Sequence, residues 1–175
     1  MKAMNKLSCI LLIIITSYLV SPSSCDSKTE QLINKICGQT SDSGFCSGLL
    51  FHNLVSPITN LTGLTKLTID ISLSYAEYIH GIIQKSQTDV KDPKLRQRYD
   101  VCEVNYQQVV GFMGSAKYDF DRGVYGSMLV QLELCNRPII DCQNAIGDFV
   151  LGMLEKNMKM RVMLSMGLYE ARQLS

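Results

Sequence analysis

The sequence predicts an all-α protein: an N-terminal helical hairpin followed by an antiparallel four-helix bundle in up-down-up-down order. Three observations support this prediction. Apolar residues recur at intervals of three and four through most of the chain, which is the period of an amphipathic helix. The segments between these stretches are short, so consecutive helices should be antiparallel neighbours. With 175 residues, 46% of them apolar, the chain is long enough for one ordinary domain.

The first 25 residues have the features of a secretory signal peptide. Lys2 and Lys6 precede an apolar stretch over residues 7–20, and small residues follow over 21–25. The apolar stretch is shorter than the roughly 20 residues needed to cross a bilayer. No later segment is apolar for that length, so we expect no membrane association after cleavage and a mature domain spanning residues 26–175.

Residues 26–58 are predicted to form the hairpin. One helix is expected over residues 30–37 and another over 45–54, with a turn-rich segment over 40–44 between them. The apolar face of this hairpin is small. It should therefore pack against its own bundle or against another subunit.

Residues 59–175 are predicted to form the bundle. Its helices are expected over residues 61–85, 93–118, from 124 onward, and 154–174. Residues 67–73 alternate like a strand, but the helical period continues for more turns than the alternation does. Pro138 should kink or restart the third helix, with Asn136 as its cap. The inward face of the first bundle helix should carry Leu61, Leu64, Leu67, Ile71, Tyr75, Tyr78 and Ile82, and that of the last should carry Leu154, Met158, Val162, Met166 and Tyr169.

Composition and motifs argue against several classes of function. The formal net charge is +1, and it becomes −1 without the signal peptide, so no basic surplus indicates nucleic-acid binding. His52 and His80 are the only histidines and no Cys-x-x-Cys pair occurs, so we expect no metal site. No catalytic or phosphate-binding motif is present. Asp119 and Asp121 are better explained as solvated turn acids than as a catalytic pair. We therefore expect neither an enzyme nor a bound cofactor.

The cysteines leave more than one pairing open. Cys37, Cys46, Cys102, Cys135 and Cys142 remain after signal removal, whereas the fate of Cys25 depends on the cleavage position. Secretion favours disulfide formation. Five cysteines would give two bridges and one free thiol, and six would allow three bridges. Cys37 and Cys46 flank the turn of the hairpin, so a bridge between them would be geometrically easy.

Asn60 lies in the only motif that suggests a covalent modification. Asn60-Leu61-Thr62 matches the N-glycosylation sequon of secreted proteins. The same asparagine is also well placed to cap the helix that follows it.

The cysteine spacing and several short motifs resemble the plant invertase and pectin methylesterase inhibitor family. The motifs are Ile36-Cys37-Gly38-Gln39-Thr40, Phe45-Cys46, Asp92-Pro93-Lys94-Leu95, Arg98-Tyr99, Cys102, Asn105-Tyr106, Ala116-Lys117 and Tyr125. The resemblance extends over essentially the whole mature chain. It implies disulfides Cys37–Cys46 and Cys102–Cys142, with Cys135 as a buried free thiol.

The resemblance also implies a function without catalysis. Members of this family bind an extracellular carbohydrate-active enzyme one-to-one and block its substrate cleft, in the apoplast and cell wall. Pectin methylesterase is the favoured target because residues 92–106 most resemble that branch, and acid invertase of the cell wall or vacuole is the alternative. The resemblance places the second and third bundle helices towards the enzyme.

Two positions near the fourth bridging cysteine differ from the family pattern and are candidates for contacting the target. Pectin methylesterase inhibitors often carry threonine just before that cysteine and an acid two residues after it. Here these positions are Asp141 and Asn144.

Two other classes of protein compete with the inhibitor interpretation. A secreted helical ligand of the cytokine type would also use a four-helix bundle, but its topology needs long crossover connections, which this chain lacks. A storage or allergen-like protein without an inhibitory partner is the other alternative, and activity assays distinguish it.

Overall fold

The computed structural model describes residues 27–56, 58, 60–147 and 150–175, and these residues form helices joined by short connections. The predicted signal peptide lies outside the described residues. The helices are α1 (Ser27–Cys37), α2 (Ser43–Asn53), α3 (Leu61–Asp89), α4 (Pro93–Asp121), α5 (Tyr125–Leu134), α6 (Asn136–Ile146) and α7 (Leu151–Leu174). The all-helical class predicted from the sequence is confirmed.

Side-chain caps determine where three of these helices begin. The Asp42 carboxylate accepts a 2.9 Å hydrogen bond from the Phe45 amide at the start of α2. Asn60 accepts one of 2.8 Å from Gly63 at the start of α3, which confirms its predicted capping role. Asp92 accepts one of 2.9 Å from Lys94, and Pro93 occupies the first turn of α4, where its missing N–H costs nothing.

The third helix of the bundle is divided into α5 and α6 around Cys135. Pro138 is the third residue of α6. A proline ring clashes with the carbonyl four residues earlier, which here belongs to Leu134, the last residue of α5. The predicted restart is therefore confirmed, but the predicted cap is wrong. Asn136 is the first helical residue, and Cys135 occupies the cap position without a side-chain hydrogen bond.

Long-range side-chain contacts show that α3 and α4 are antiparallel, as the predicted up-down-up-down order requires. The end of α4 meets the start of α3, where Lys117 donates a 2.6 Å hydrogen bond to Asp70. The end of α3 meets the start of α4, where Gln87 donates one of 2.5 Å to Asp100. Gly123 and Gly147 lie in the connections that follow α4 and α6, with φ of 72° and 54°. Residues with a side chain rarely adopt such φ angles, so glycine suits both turns.

Two apolar clusters organise the packing. The larger one is the bundle core and includes Ile79, Val109, Met113, Met128 and Met160, all fully buried. The smaller one joins the hairpin to α3 and α7; its buried members are Ile33, Ile36, Cys37, Cys46, Leu50, Leu64, Val162 and Met166. The hairpin therefore packs against its own bundle, which was one of the two predicted arrangements.

Two residues predicted to face inward are exposed. Tyr78 is 55% exposed and Met158 is 56% exposed. In both helices the apolar stripe is broader than the buried face, because the hairpin covers only part of the outer surface. Met153, Met160, Met163 and Met166 are buried, so the methionine-rich stretch of α7 mostly fills the interior. Among the described residues, no helix is long and apolar enough to span a membrane.

Candidate functional site

The two disulfides lie in different parts of the molecule. Cys37–Cys46 closes the hairpin, with its Cα atoms 5.5 Å apart. Cys102–Cys142 joins α4 to α6, with its Cα atoms 4.4 Å apart. Cys135 is a buried free thiol. The pairing implied by the family resemblance is thus present, and the second bridge fixes two helices that the resemblance places towards a target enzyme.

A buried polar contact supports the Cys102–Cys142 bridge from inside the bundle. The Tyr106 hydroxyl donates a 2.6 Å hydrogen bond to Asn157 Oδ1. Asn157 Nδ2 lies 3.8 Å from Cys142 Sγ. Tyr106 and Asn157 are both completely buried, and burial raises the pKa of the tyrosine above its usual value. This contact links α4, α6 and α7, so the helices on both sides of the bridge are held in fixed positions.

The outer face of α4 and α6 near this bridge is the candidate site. Arg98 Nη1 on α4 donates a 2.6 Å hydrogen bond to the carbonyl of Ala145 near the end of α6. Arg137 Nε donates one of 2.8 Å to Asp141, one turn apart on α6, and this bond raises the pKa of Arg137. Asn144 is exposed on the same helix. The two predicted contact residues therefore lie either side of the buried Cys142.

Asp141 is less accessible than the sequence suggested. Its side chain is 33% exposed, and it is paired with Arg137, whose side chain is 83% exposed. The charge presented to solvent here is therefore mainly the guanidinium of Arg137. Sequence analysis missed this residue because an i,i+4 ion pair on a helix is common and rarely has a specific role.

Two valines of α4 that are close to Cys102 in sequence are also exposed. Val101 is 41% exposed and Val104 is 53% exposed. Both are apolar residues at positions of α4 that the helical period assigns to the exposed side. This mismatch was visible in the sequence and could have indicated a contact surface. With Arg98, Arg137 and Asn144, they give the helices around the Cys102–Cys142 bridge a mixture of apolar and polar side chains. Such a mixture is typical of interfaces between separately folded proteins. We call these residues, with Asp141, the α4–α6 face.

Three other polar residues considered in the sequence have structural partners. His80 Nε2 lies 3.3 Å from Glu103 Oε1. Asp119 accepts a 2.6 Å hydrogen bond from Ser127, and Asp121 lies 3.7 Å from Lys117 Nζ. Within the described ranges, no three His, Cys, Asp or Glu side chains are grouped so that they could hold a metal ion.

Comparison with known proteins identifies the class of protein to which this fold corresponds. No family model matches the sequence. A crystal structure of mutant form A of a pectin methylesterase inhibitor from Arabidopsis superposes with a TM-score of 0.74 at 18% identity, covering 82% of this chain and 97% of that one. A pectin methylesterase inhibitor from Arabidopsis thaliana gives a TM-score of 0.64 at 20% identity, covering 86% and 98%. The chain therefore has the fold of plant pectin methylesterase inhibitors.

Sequence similarity points to the same proteins. A pectinesterase inhibitor from Actinidia deliciosa is 32% identical over 99 residues, which is 57% of this chain. The matched region spans about half, 54%, of the length of that relative. Together these matches confirm the resemblance to the plant invertase and pectin methylesterase inhibitor family.

The motif residues that carry the resemblance mostly stabilise the fold. Asp92 and Pro93 start α4, Tyr106 forms the buried contact to α7, and Lys117 joins α4 to α3. Tyr125 packs against Phe120 with ring centroids 5.9 Å apart. These motifs therefore carry information about the fold.

Proposed function

We propose that the mature protein is a secreted inhibitor of pectin methylesterase that acts without catalysis, in a one-to-one complex that blocks the substrate cleft of the enzyme. The observation that carries this proposal is the sequence similarity to the Actinidia deliciosa pectinesterase inhibitor on the matching inhibitor fold. Acid invertase is retained as the alternative target in the test below.

The α4–α6 face is the proposed contact surface. It is a helical ridge held at one end by the Cys102–Cys142 bridge and by the hydrogen bond from Arg98 to Ala145. Val101 and Val104 supply apolar area that would be removed from water on binding. Arg137 and Asn144 supply hydrogen-bond donors at the rim, where polar groups fix orientation.

Rigidity favours this mechanism. Ordering flexible side chains and loops at an interface costs free energy that is subtracted from affinity. The backbone of the α4–α6 face is helical, bridged by a disulfide and supported by the buried contact between Tyr106 and Asn157. Little backbone ordering would therefore be needed on binding.

The proposal includes the processing of the chain. Residues 1–25 would be removed as a signal peptide, leaving residues 26–175 as the inhibitor domain in the apoplast or cell wall. Asn60 is exposed, so an oligosaccharide could be attached there. An oligosaccharide would be attached at Nδ2, and the cap of α3 uses Oδ1 as its acceptor. We therefore propose that capping and glycosylation are compatible at this site.

A paired activity assay tests the proposal. The purified mature protein is incubated with a plant pectin methylesterase and, in parallel, with an acid invertase. We expect loss of pectin methylesterase activity and no effect on invertase. Inhibition of invertase alone would show that acid invertase is the target and that pectin methylesterase is not. Failure to inhibit either enzyme, with the helical circular dichroism spectrum intact, would contradict the inhibitor function.

A further inference from the structure

A glutamate side chain is completely buried where α7 crosses the start of α3. Glu170 is 0% exposed. Its Oε1 accepts a 3.1 Å hydrogen bond from the Thr68 hydroxyl, and its Oε2 is buried without a hydrogen-bond partner. Ser72, one turn beyond Thr68, also has a buried hydroxyl oxygen without a partner. A carboxyl group in such a place is costly when it is charged.

Among the residues that the structure describes, no basic side chain pairs with the Glu170 carboxyl. From α3 the group that contacts Glu170 is the Thr68 hydroxyl, and Thr65 and Ser72 are buried in the same stretch of the helix. The charged residues of α3 nearby, Lys66 and Asp70, pair with each other and with Lys117 on α4. On α7, Arg172 is directed to Glu133 of α5. The charged residues of the hairpin helices are all exposed: Lys28, Glu30, Lys35 and His52.

The hairpin covers the line along which α3 and α7 meet. Leu64 and Leu67 of α3, and Met166 and Tyr169 of α7, pack with the hairpin in the smaller apolar cluster. Thr68 lies four residues after Leu64, and Glu170 lies four residues after Met166, so each shares a helix face with a residue of the smaller apolar cluster. The carboxyl therefore lies at the edge of the surface that the hairpin covers. Lifting the hairpin would bring water closer to this carboxyl.

We infer that Glu170 is a pH-sensitive latch for the hairpin. The hairpin is held on the bundle while this carboxyl is protonated, and it opens more often once the carboxyl is ionised. The coupling is a linkage effect. The carboxyl is neutral when buried and charged when hydrated, so the closed form binds more protons than the open form. Raising the pH therefore shifts the equilibrium towards the open form.

The direction of the effect follows from the protonation states. Burial raises the pKa of Glu170 from 4.5 to about 8, although the hydrogen bond from Thr68 acts in the opposite direction. In the open form the pKa returns towards its ordinary value. Closure is therefore most stable below about pH 4.5, weakens as the pH rises, and stops weakening above about pH 8. Tyr169, the adjacent titratable side chain, belongs to the hairpin cluster.

Hydrogen exchange followed by mass spectrometry on the mature protein tests this latch. Rates measured at pH 6 and pH 8 are corrected for intrinsic exchange, so that protection factors are compared. We expect protection of α1 and α2 to fall at least about tenfold between these pH values, while protection of α4 and α6 is retained. In Glu170→Gln, which cannot ionise, protection of the hairpin should not change with pH.

Control variants separate the latch from other effects. Glu155→Gln removes an exposed carboxylate from the same helix and should behave like the wild type. Glu170→Met provides a second uncharged side chain of similar length if the glutamine variant is unstable. An unchanged pH response in both Glu170 variants would overturn the inference. Loss of protection in all helices together would also overturn it, because it would indicate global unfolding instead of release of the hairpin.

Discussion

The hydroxyl of Tyr106 on α4 donates a 2.6 Å hydrogen bond to the side-chain oxygen of Asn157 on α7, and both residues are completely buried. Beside them, Asn157 Nδ2 lies 3.8 Å from Cys142 Sγ. This polar contact therefore joins α4 to α7 inside the bundle. It lies next to the Cys102–Cys142 disulfide, which holds together the two helices of the proposed contact surface.

Replacing Tyr106 with phenylalanine should destabilise the protein. The substitution keeps the ring but leaves the buried oxygen of Asn157 without its donor, which costs about 1–3 kcal/mol. Chemical denaturation followed by circular dichroism measures the change in free energy of unfolding. Tyr78→Phe is the matched control, since Tyr78 is 55% exposed, and it should change stability by less than about 0.5 kcal/mol. Equal effects of the two substitutions would refute the role of the contact.

The two disulfides should contribute unequally to stability. Cys102–Cys142 joins residues 40 apart in sequence, and Cys37–Cys46 joins residues 9 apart. On the chain-entropy model, replacing both cysteines of a bridge with alanine should cost about 4 kcal/mol for the first and roughly 2–3 kcal/mol for the second. Denaturation of the two double variants compares these costs. A larger loss for the hairpin bridge, or a non-reducing peptide map that pairs Cys135 with another cysteine, would contradict this assignment.

The free thiol of Cys135 should be almost unreactive in the folded protein. Burial raises its pKa to about 12, so very little thiolate is present at pH 8. We expect alkylation by iodoacetamide to be at least about a hundredfold slower in the native protein than in denaturant. Intact-mass spectrometry over time measures both rates. Rapid modification of the native protein at one cysteine would show that this thiol is accessible.

Much of the fold was predictable because the local signals agreed with one another. Asn60, Asp92 and Pro93 mark helix starts in the sequence, and the structure uses all three in this way. Pro138 marked the break in the third bundle helix, but not its exact position. The steric effect of a proline falls on the carbonyl four residues earlier, so the helix ends at Leu134 and Asn136 is already helical.

The interior polar residues were not predictable in the same way. Asn157 and Glu170 are polar residues of a kind usually found on helix surfaces, and nothing beside them in the sequence marks them as buried. Their burial depends on which side of α7 the core and the hairpin occupy. Met158 shows the converse case: it follows the apolar period of α7 but is 56% exposed. Periodicity identifies an apolar stripe, whereas the neighbouring helices decide how much of it is covered.

Restoring the family pattern beside Cys142 should alter inhibition. In the double variant Asp141→Thr and Asn144→Asp, Arg137 loses its partner and a carboxylate appears on the exposed side of α6. If these positions contact the target, the inhibition constant should change at least roughly tenfold, about 1.4 kcal/mol. Steady-state inhibition assays against pectin methylesterase and acid invertase measure the change.

A matched variant controls for the added charge. Asn34→Asp places the same substitution on an exposed position of α1, away from the α4–α6 face, and should leave inhibition unchanged. An inhibition constant that is the same in wild type and in the double variant, with circular dichroism showing an intact fold, would remove Asp141 and Asn144 from the proposed contact surface.

The most direct test of the account is a titration of pectin methylesterase activity with the mature protein, at an enzyme concentration well above the dissociation constant. A rigid inhibitor that blocks the cleft one-to-one should reduce activity linearly, with the line reaching zero at one equivalent. Size-exclusion chromatography of the same mixture should show a single complex containing one copy of each protein. Full enzyme activity at several equivalents of folded protein would contradict the account.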